Sequence, residues 1–181
     1  MKFKFCVSGA AETDHCPPRI RETAELLGKT IAQHDIVLVN GATTGFPFFA
    51  AKGAKEAGGF VIGISPAATK QEHRDRYHLP FDYLDIVVYT GFGYAGRNLL
   101  LTRSADAVIV GCGRMGTLNE FTIAFEDKKP IGVLTNSGGT TDLIKEIIEH
   151  SRRGGETPVI FESDPVVLVG KFLALLHEEN H

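Results

Sequence analysis

The segment of this chain best suited to chemistry is the glycine-rich run GCGRMGTLNE at 111–120, which directly follows the apolar run AVIV. Its glycines let the backbone turn tightly and approach a ligand, because no Cβ atom stands in the way. The helical pattern that follows would add free N–H groups and the positive end of a helix dipole, worth about half a charge. We therefore predict a phosphate site formed by Gly113, Arg114, Met115, Gly116 and Thr117.

Glycine also follows three other apolar runs that are predicted to be strands. The first run leads into Ser8 and Gly9, the second into NGATTG at 40–45, and the fourth into TGFGYAGR at 90–97. Because the carboxyl ends of parallel strands meet at one edge of a sheet, these segments should converge there. The further ligand contacts that we predict from them are Ser8, Gly9, Gly41, Thr43, Thr44 and Gly45.

The elements that would position these segments alternate along the chain. Short, β-branched apolar runs predict strands at 2–8, 35–39, 60–64, 85–89, 107–110, 131–134 and 159–161. Helical patterns occur at 18–34, 48–57, 96–104, 118–126, 141–151 and 166–177. This alternation predicts an α/β fold: a Rossmann-like, doubly wound, mainly parallel sheet of about seven strands with helices on both faces. The stretch 65–82 shows neither pattern and is predicted to be a long loop, as in many lids and binding loops.

Two familiar nucleotide motifs are matched only in part. Residues 91–96 fit G-x-G-x-x-G, but the next predicted strand does not end in the acidic residue that a dinucleotide fingerprint needs. Residues 111–117 have the glycine spacing of a P-loop without its lysine, which argues against hydrolysis of nucleoside triphosphates. We therefore expect no nicotinamide or other cofactor.

Composition and charge exclude several other classes of protein. With 181 residues and 43% hydrophobic residues, the chain is predicted to form a single domain over 1–181. A net charge of −3 gives no electrostatic footprint for nucleic acid. The apolar run at the N-terminus is too short for a signal peptide, and no stretch approaches the roughly 18 apolar residues of a membrane span. We expect no membrane partner and a cytoplasmic location.

The three cysteines, Cys6, Cys16 and Cys112, contain no C-x-x-C pair, and their odd number argues against a disulfide framework. His15 and Cys16 follow the first predicted strand and Cys112 the fifth, so these side chains could approach each other at one edge of the sheet. They have the chemistry of a metal or thiol site, but the spacing fixes no ligand geometry. We expect no bound metal.

Two groups of motifs resemble those of the Lonely Guy (LOG) family, once described as lysine decarboxylases. The first is NGATTG at 40–45 followed by KGAKEAGG at 52–59, and the second combines Arg97, RSADA at 103–107 and GTLNE at 116–120. The resemblance covers residues 3–135. That family belongs to the SLOG superfamily with the molybdenum-cofactor carrier proteins and DNA-processing protein A. The YAG segment at 94–96 is similar to the carrier-like branch.

The resemblance implies a phosphoribohydrolase, which cleaves the N-glycosidic bond of a nucleoside 5′-monophosphate to free base and ribose 5-phosphate. It implies that Arg97 and Glu120 are the catalytic pair. The guanidinium would hold the substrate, and the carboxylate would stabilise the oxocarbenium-like transition state or take a proton from water. The carrier-like branch implies the alternative, a non-catalytic protein that carries the molybdenum cofactor or a nucleotide. The resemblance to LOG proteins also implies a homodimer.

The same residues have purely structural interpretations. Arg97 could be solvated or paired with a carboxylate, and Thr117 with Glu120 matches the T-x-x-E capping box. Cys112 and Arg114 stand where LOG proteins have proline and glycine. The Arg114 side chain would either bind the phosphate or fill the space of a nucleotide. The sequence leaves these alternatives open.

Overall fold

The computed structural model describes residues 1–153, 155 and 157–178. Its strands are β1 (Lys4–Gly9), β2 (Val37–Asn40), β3 (Val61–Ser65), β4 (Ile86–Tyr89), β5 (Ala107–Gly111), β6 (Ile131–Leu134) and β7 (Val159–Glu162). Its helices are α1 (Ile20–Gln33), α2 (Phe46–Glu56), α3 (Lys70–Asp75), α4 (Gly93–Arg103), α5 (Met115–Glu126), α6 (Ile144–Ser151) and α7 (Pro165–Glu178). A 3₁₀ turn at Thr140–Leu143 precedes α6.

The strands form one sheet in the order β4-β3-β2-β1-β5-β6-β7. All neighbouring pairs are parallel, which confirms the predicted doubly wound α/β fold. From β1 the chain adds β2 to β4 on one side and then β5 to β7 on the other, so the direction reverses between β1 and β5. Ligands of such sheets bind beyond the carboxyl ends of the strands at this reversal. Gly9 of β1 pairs with Gly111 of β5 there.

Two apolar layers cover the sheet, because side chains alternate between its faces along each strand. Phe5 and Val7 of β1 pack with residues of α1, α2 and α7, whereas Cys6 packs with residues of α4, α5 and α6. Strand β5 is buried along its whole length. The core therefore holds the ends of β1 and β5 in place. Among the described residues, no helix is both long and apolar enough to cross a bilayer.

Three helices begin two or three residues earlier than predicted, at Phe46, Gly93 and Met115. The glycine-rich segments that were expected to be loops supply the first turns of these helices. In α2, Pro47 fits the first turn because its missing N–H would have no partner there. Helix α1, by contrast, begins at Ile20, after Pro17 and Pro18.

The prediction of one irregular stretch over 65–82 is wrong in part, because α3 lies within it. The Thr69 side chain caps this helix by accepting from the Glu72 amide at 3.1 Å, and the Glu72 carboxylate accepts from the Ala68 amide at 2.6 Å. This T-x-x-E signature was overlooked in the sequence. The segment is anchored by buried His73, whose ring lies 2.8 Å from the Ser65 hydroxyl and 3.1 Å from the Pro80 carbonyl.

Candidate functional site

A cavity of about 380 Å³ lies beyond the carboxyl ends of β1, β2 and β5, with one wall from α4 and another from the start of α5. Its volume is in the range of small-molecule sites. It is lined by Val7, Ser8, Gly9, Ala10, Ala11, Glu12, Gly41, Thr43, Pro47, Tyr94, Arg97, Asn98, Leu101, Arg114, Gly116, Thr117 and Glu120.

The structure brings together most of the residues that the sequence predicted for the site. Those that line the cavity are Ser8, Gly9, Gly41, Thr43, Arg97, Arg114, Gly116, Thr117 and Glu120. The predicted residues outside the lining are Thr44, Gly45, Gly113 and Met115.

Each of these four residues has another place in the structure. The Thr44 hydroxyl donates to the Ala11 carbonyl at 2.9 Å, and Gly45 is the N-cap of α2 with a φ of 71°, which favours glycine. Met115 extends into solvent with 74% of its surface exposed. Gly113 donates its N–H to the carbonyl of Gly138 at 3.2 Å. Its amide is therefore not free for a phosphate, which corrects the prediction for this residue.

The first turn of α5 provides the free amides that Gly113 does not. The N–H groups of Met115, Gly116 and Thr117 lie in this turn, where no carbonyl of the helix can pair with them. The Thr117 hydroxyl is buried and lies 3.4 Å from the amide of Arg114, from which it accepts. The predicted anion site is thus a helix N-terminus that opens into the cavity.

Glu120 does not form the capping box that the sequence suggested with Thr117. Because α5 begins at Met115, Glu120 lies in the second turn, and its carboxylate accepts from the Ser8 hydroxyl. The side-chain amide of Asn98 is assigned the orientation that satisfies its hydrogen bonds. In this orientation the amide nitrogen of Asn98 also donates to the Glu120 carboxylate at 2.8 Å. Only 6% of Glu120 is exposed.

The pKa of Glu120 is raised above its ordinary value, chiefly because burial disfavours the charged carboxylate. The positive charge of Arg97 and the hydrogen bond from Ser8 act in the opposite direction. The carboxyl group therefore keeps its proton to a higher pH than an exposed glutamate does. A general base or acid is most effective when its pKa lies near the working pH.

Arg97 is 5% exposed, and in the described part of the chain its buried Nε–H has no hydrogen-bond acceptor. Its guanidinium lies against the backbone of Gly41, where any Cβ atom would clash with Nη1. It also lies 5.9 Å from the centre of the Tyr94 ring. A buried guanidinium N–H without an acceptor costs about 1–3 kcal/mol or more, which an acceptor on a bound ligand would recover.

Arg114 stands at the mouth of the cavity and does not fill it. Its guanidinium forms an ion pair with Glu12 at 2.5 Å, and both side chains are at least half exposed. Exposed ion pairs of this kind contribute little to stability, about 1 kcal/mol at most. The guanidinium can therefore exchange Glu12 for an anionic ligand at small cost.

The sequence missed several lining residues, of which Tyr94, Asn98 and Leu101 share one origin. Together with Arg97 they follow the i, i+3, i+4, i+7 spacing of a single helix face on α4. This spacing was visible in the sequence. It is incomplete in the helix predicted from the sequence, which begins at 96, after Tyr94.

Cys16 and Cys112 form a disulfide, with their Cα atoms 5.9 Å apart, although the odd number of cysteines argued against a disulfide framework. The two residues are 96 positions apart in sequence, but they follow β1 and β5, which are neighbours in the sheet. His15 Nε2 lies 3.8 Å from each of the two sulfur atoms. Cys6 is free and buried.

Comparison with known proteins gives one family model, described as "SLOG cluster4 family", that matches residues 2–169. An uncharacterised protein of Archaeoglobus fulgidus is 37% identical over 128 residues, which are 71% of this chain and 77% of that protein.

Two solved structures of high similarity cover nearly the whole chain. The X-ray structure of TM1055 has a TM-score of 0.82 and 27% identity, and covers 97% of this chain and 99% of its own. The molybdenum cofactor binding protein from the phototrophic bacterium Rippkaea orientalis has a TM-score of 0.78 and 29% identity. The match covers 97% of this chain and 98% of that chain. Both comparisons agree with the predicted SLOG resemblance.

Proposed function

Because the chain belongs to the SLOG cluster4 family, we propose that its cavity binds a nucleoside 5′-monophosphate and that Arg97 and Glu120 cleave the N-glycosidic bond. The products are the free base and ribose 5-phosphate. The observation that carries the proposal is the pairing, in one cavity, of a buried guanidinium that lacks an acceptor with a buried carboxyl group of raised pKa.

The phosphate is assigned to the N-terminus of α5. Gly116 and Thr117 line the cavity, and no carbonyl of the helix can accept from their N–H groups, which lie at the positive end of the helix dipole. Arg114 stands beside this turn and adds a mobile positive charge at the mouth. A phosphate there leaves the rest of the ligand to extend toward α4.

We assign Arg97 to binding the sugar or the base of the ligand. Its side chain lies on the side of the cavity opposite the exposed rim. A guanidinium forms hydrogen bonds in a fixed fork, so it orients a ligand better than a lysine would. Its freedom to move is limited by Gly41 below it and Tyr94 beside it. Arg97 therefore positions the glycosidic bond relative to Glu120.

Glu120 supplies the acid–base chemistry. Cleavage of the glycosidic bond develops positive charge on the sugar, which a nearby carboxylate stabilises. The same carboxylate can take a proton from the attacking water. The hydrogen bonds from Ser8 and Asn98 hold both of its oxygens in one orientation, as such a role requires.

A second candidate is a carrier that binds a phosphorylated ligand, such as the molybdenum cofactor, without cleaving it. It is supported by the similarity to the molybdenum cofactor binding protein of Rippkaea orientalis. The two candidates share the phosphate site and differ only in whether a bond is broken.

Incubation with AMP separates the two functions. We expect the hydrolase to release adenine, detected by chromatography, and the Glu120→Gln variant to release about 10² to 10⁴ times less. The matched control is Glu126→Gln, an exposed glutamate of the same helix, which should release adenine as the unmodified chain does. Thermal stabilisation by AMP without adenine would support the carrier. No stabilisation and no adenine, with AMP, GMP or CMP, would contradict the hydrolase.

We further propose that the protein is a homodimer joined through the outer face of α4. Phe92, Leu99 and Leu100 are exposed on and just before this helix, with Phe92 69% exposed. Edge strand β4 exposes Ile86 and Val88 as well. Exposed apolar side chains that form a contiguous patch mark interaction sites. The cytoplasmic location expected from the sequence stays a prediction.

A further inference from the structure

A second group of chemically active side chains lies outside the cavity lining, where the glycine-rich segment meets the loop that follows β1. One ring nitrogen of His15 and the sulfur atoms of Cys16 and Cys112 all lie within 4.8 Å of one another. We propose that this His15–Cys16–Cys112 cluster, with its two cysteines reduced, is a binding site for one Zn²⁺ ion.

In the disulfide form, the imidazole is already close to the separation that a zinc site requires. His15 Nε2 is 3.8 Å from each sulfur. Tetrahedral zinc with Zn–S bonds of ~2.3 Å and Zn–N bonds of ~2.0 Å places a nitrogen and a sulfur ligand about 3.6 Å apart. The Cα atoms of the two cysteines are 5.9 Å apart, so rotation of their side chains separates the sulfurs without moving the backbone.

Neighbouring loops hold the ligands in position. The Cys112 amide donates to the Ser137 hydroxyl at 2.8 Å, and its carbonyl accepts from the Ala10 amide at 2.7 Å. Gly139 leaves room for the imidazole, since a Cβ atom there would lie 3.0 Å from His15 Nε2. These contacts fix the backbone of Cys112 before a metal binds.

The donor set suits a thiophilic ion. Reduction of the Cys16–Cys112 disulfide by a dithiol adds two electrons and two protons, giving two thiols while the dithiol becomes a disulfide. Zn²⁺ then displaces both thiol protons and is bound by two thiolates and one neutral imidazole, an electrically neutral unit. Because His15 is exposed, water can reach the fourth position.

The two chain segments that hold the cluster also line the cavity, so the backbone connects the proposed metal site to it. The segment from Gly9 to Cys16 contributes Ala10, Ala11 and Glu12 to the cavity, and Cys112 is followed by Arg114, Gly116 and Thr117. A metal bridge, like the disulfide, would clamp these two segments together. The inference does not depend on the proposed hydrolase activity.

The test measures zinc bound by the full chain, produced without a histidine tag. The protein is reduced with a dithiol, exchanged into reductant-free buffer without oxygen, loaded with Zn²⁺ and desalted. We expect about one zinc per chain by elemental analysis. With Co²⁺ as probe, we expect the near-ultraviolet absorption of thiolate-to-cobalt charge transfer. The oxidised protein should bind neither ion at this site.

Variants then identify the ligands. Cys16→Ser and Cys112→Ser should lose the zinc and the cobalt absorption, and His15→Ala should lower the affinity for zinc at least tenfold, because one of three ligands is gone. Cys6→Ala and His34→Ala are the matched thiol and imidazole controls outside the cluster, and both should bind as the unmodified chain does. His15 is exposed, so its variant should fold even if a cysteine variant does not. A reduced chain that retains no zinc, or cluster variants that retain as much as the controls, would overturn the proposal.

Discussion

The hydroxyl of Ser8, near the end of β1, donates a hydrogen bond to the carboxylate of Glu120 on α5, although the two residues are 112 positions apart in sequence. This contact spans the point where the order of strands reverses. It connects the two segments of the cavity that carry the proposed chemistry, and it lowers the pKa of Glu120 against the effect of burial.

Replacement of Ser8 by alanine should therefore raise the pKa of Glu120 further. A general base is active only when it is ionised. As the pH is lowered, the variant should therefore lose activity at a higher pH than the unmodified chain does. The measurement is the pH dependence of kcat/KM for adenine release. Ser104→Ala, at the end of α4, is the control and should leave the profile unchanged. An unaltered acidic limb in Ser8→Ala would contradict this role of the hydrogen bond.

Glu120→Gln should also change how stability depends on pH. The pKa of Glu120 is raised in the folded protein, so between the ordinary value of 4.5 and the folded value the native state binds more protons than the unfolded state. Stability of the unmodified chain therefore falls as pH rises through this window. The neutral glutamine lacks this effect, and Asn98 can turn its amide to accept from it.

We expect the melting temperature of Glu120→Gln, relative to the unmodified chain, to be higher at pH 8 than below pH 4.5. Thermal melts across this range in both proteins measure the difference. A constant difference at all pH values would show that burial of Glu120 does not control its ionisation.

Gly41→Ala should displace Arg97. The added Cβ atom would clash with Nη1 of the guanidinium, which is the end of a flexible side chain, so the fold can adapt while the guanidinium moves. We expect the chain to fold but to lose thermal stabilisation by AMP. Gly170→Ala on α7, where a Cβ atom meets nothing within 4 Å, is the control and should be stabilised by up to about 1 kcal/mol. Normal AMP binding by Gly41→Ala would show that Arg97 does not contact the ligand.

Arg114→Gln and Glu12→Gln should affect ligand binding in opposite directions. Loss of the guanidinium should weaken AMP binding about tenfold, because a hydrogen bond to a charged group contributes ~1.5 kcal/mol or more. Loss of the Glu12 carboxylate should strengthen binding, since it frees Arg114 and removes a negative charge from the mouth. Calorimetric titration gives both constants. The stability of each variant should stay within about 1 kcal/mol of the unmodified chain.

Leu99→Glu combined with Leu100→Glu should convert the proposed homodimer to a monomer, because it places charges in the apolar face of α4. Size-exclusion chromatography with light scattering measures the mass directly. The matched control is Leu26→Glu, an exposed leucine of α1 away from that face, which should leave the mass unchanged. A monomeric unmodified chain would refute the dimer.

Local patterns in the sequence were sufficient for the parallel sheet and most of its elements. Continuous apolar β-branched runs separated by helical patterns have few other solutions, and the structure confirms all of the predicted strands to within two residues at each end. The starts of α2, α4 and α5 were less predictable. Glycine-rich segments suit both a loop and a helical first turn, so only packing decides between them.

The carboxyl-terminal edge of the sheet, and most residues that line the cavity there, followed from the sequence, because parallel strands must end at one edge. Only the tertiary structure decided what each group does there. It gave the amide of Gly113 a partner in Gly138, brought Ser8 to Glu120, buried Arg97 against Gly41 and joined Cys16 to Cys112. These contacts link residues from 25 to more than 100 positions apart. Sequence spacing alone does not determine such contacts, since they depend on the order of strands across the sheet.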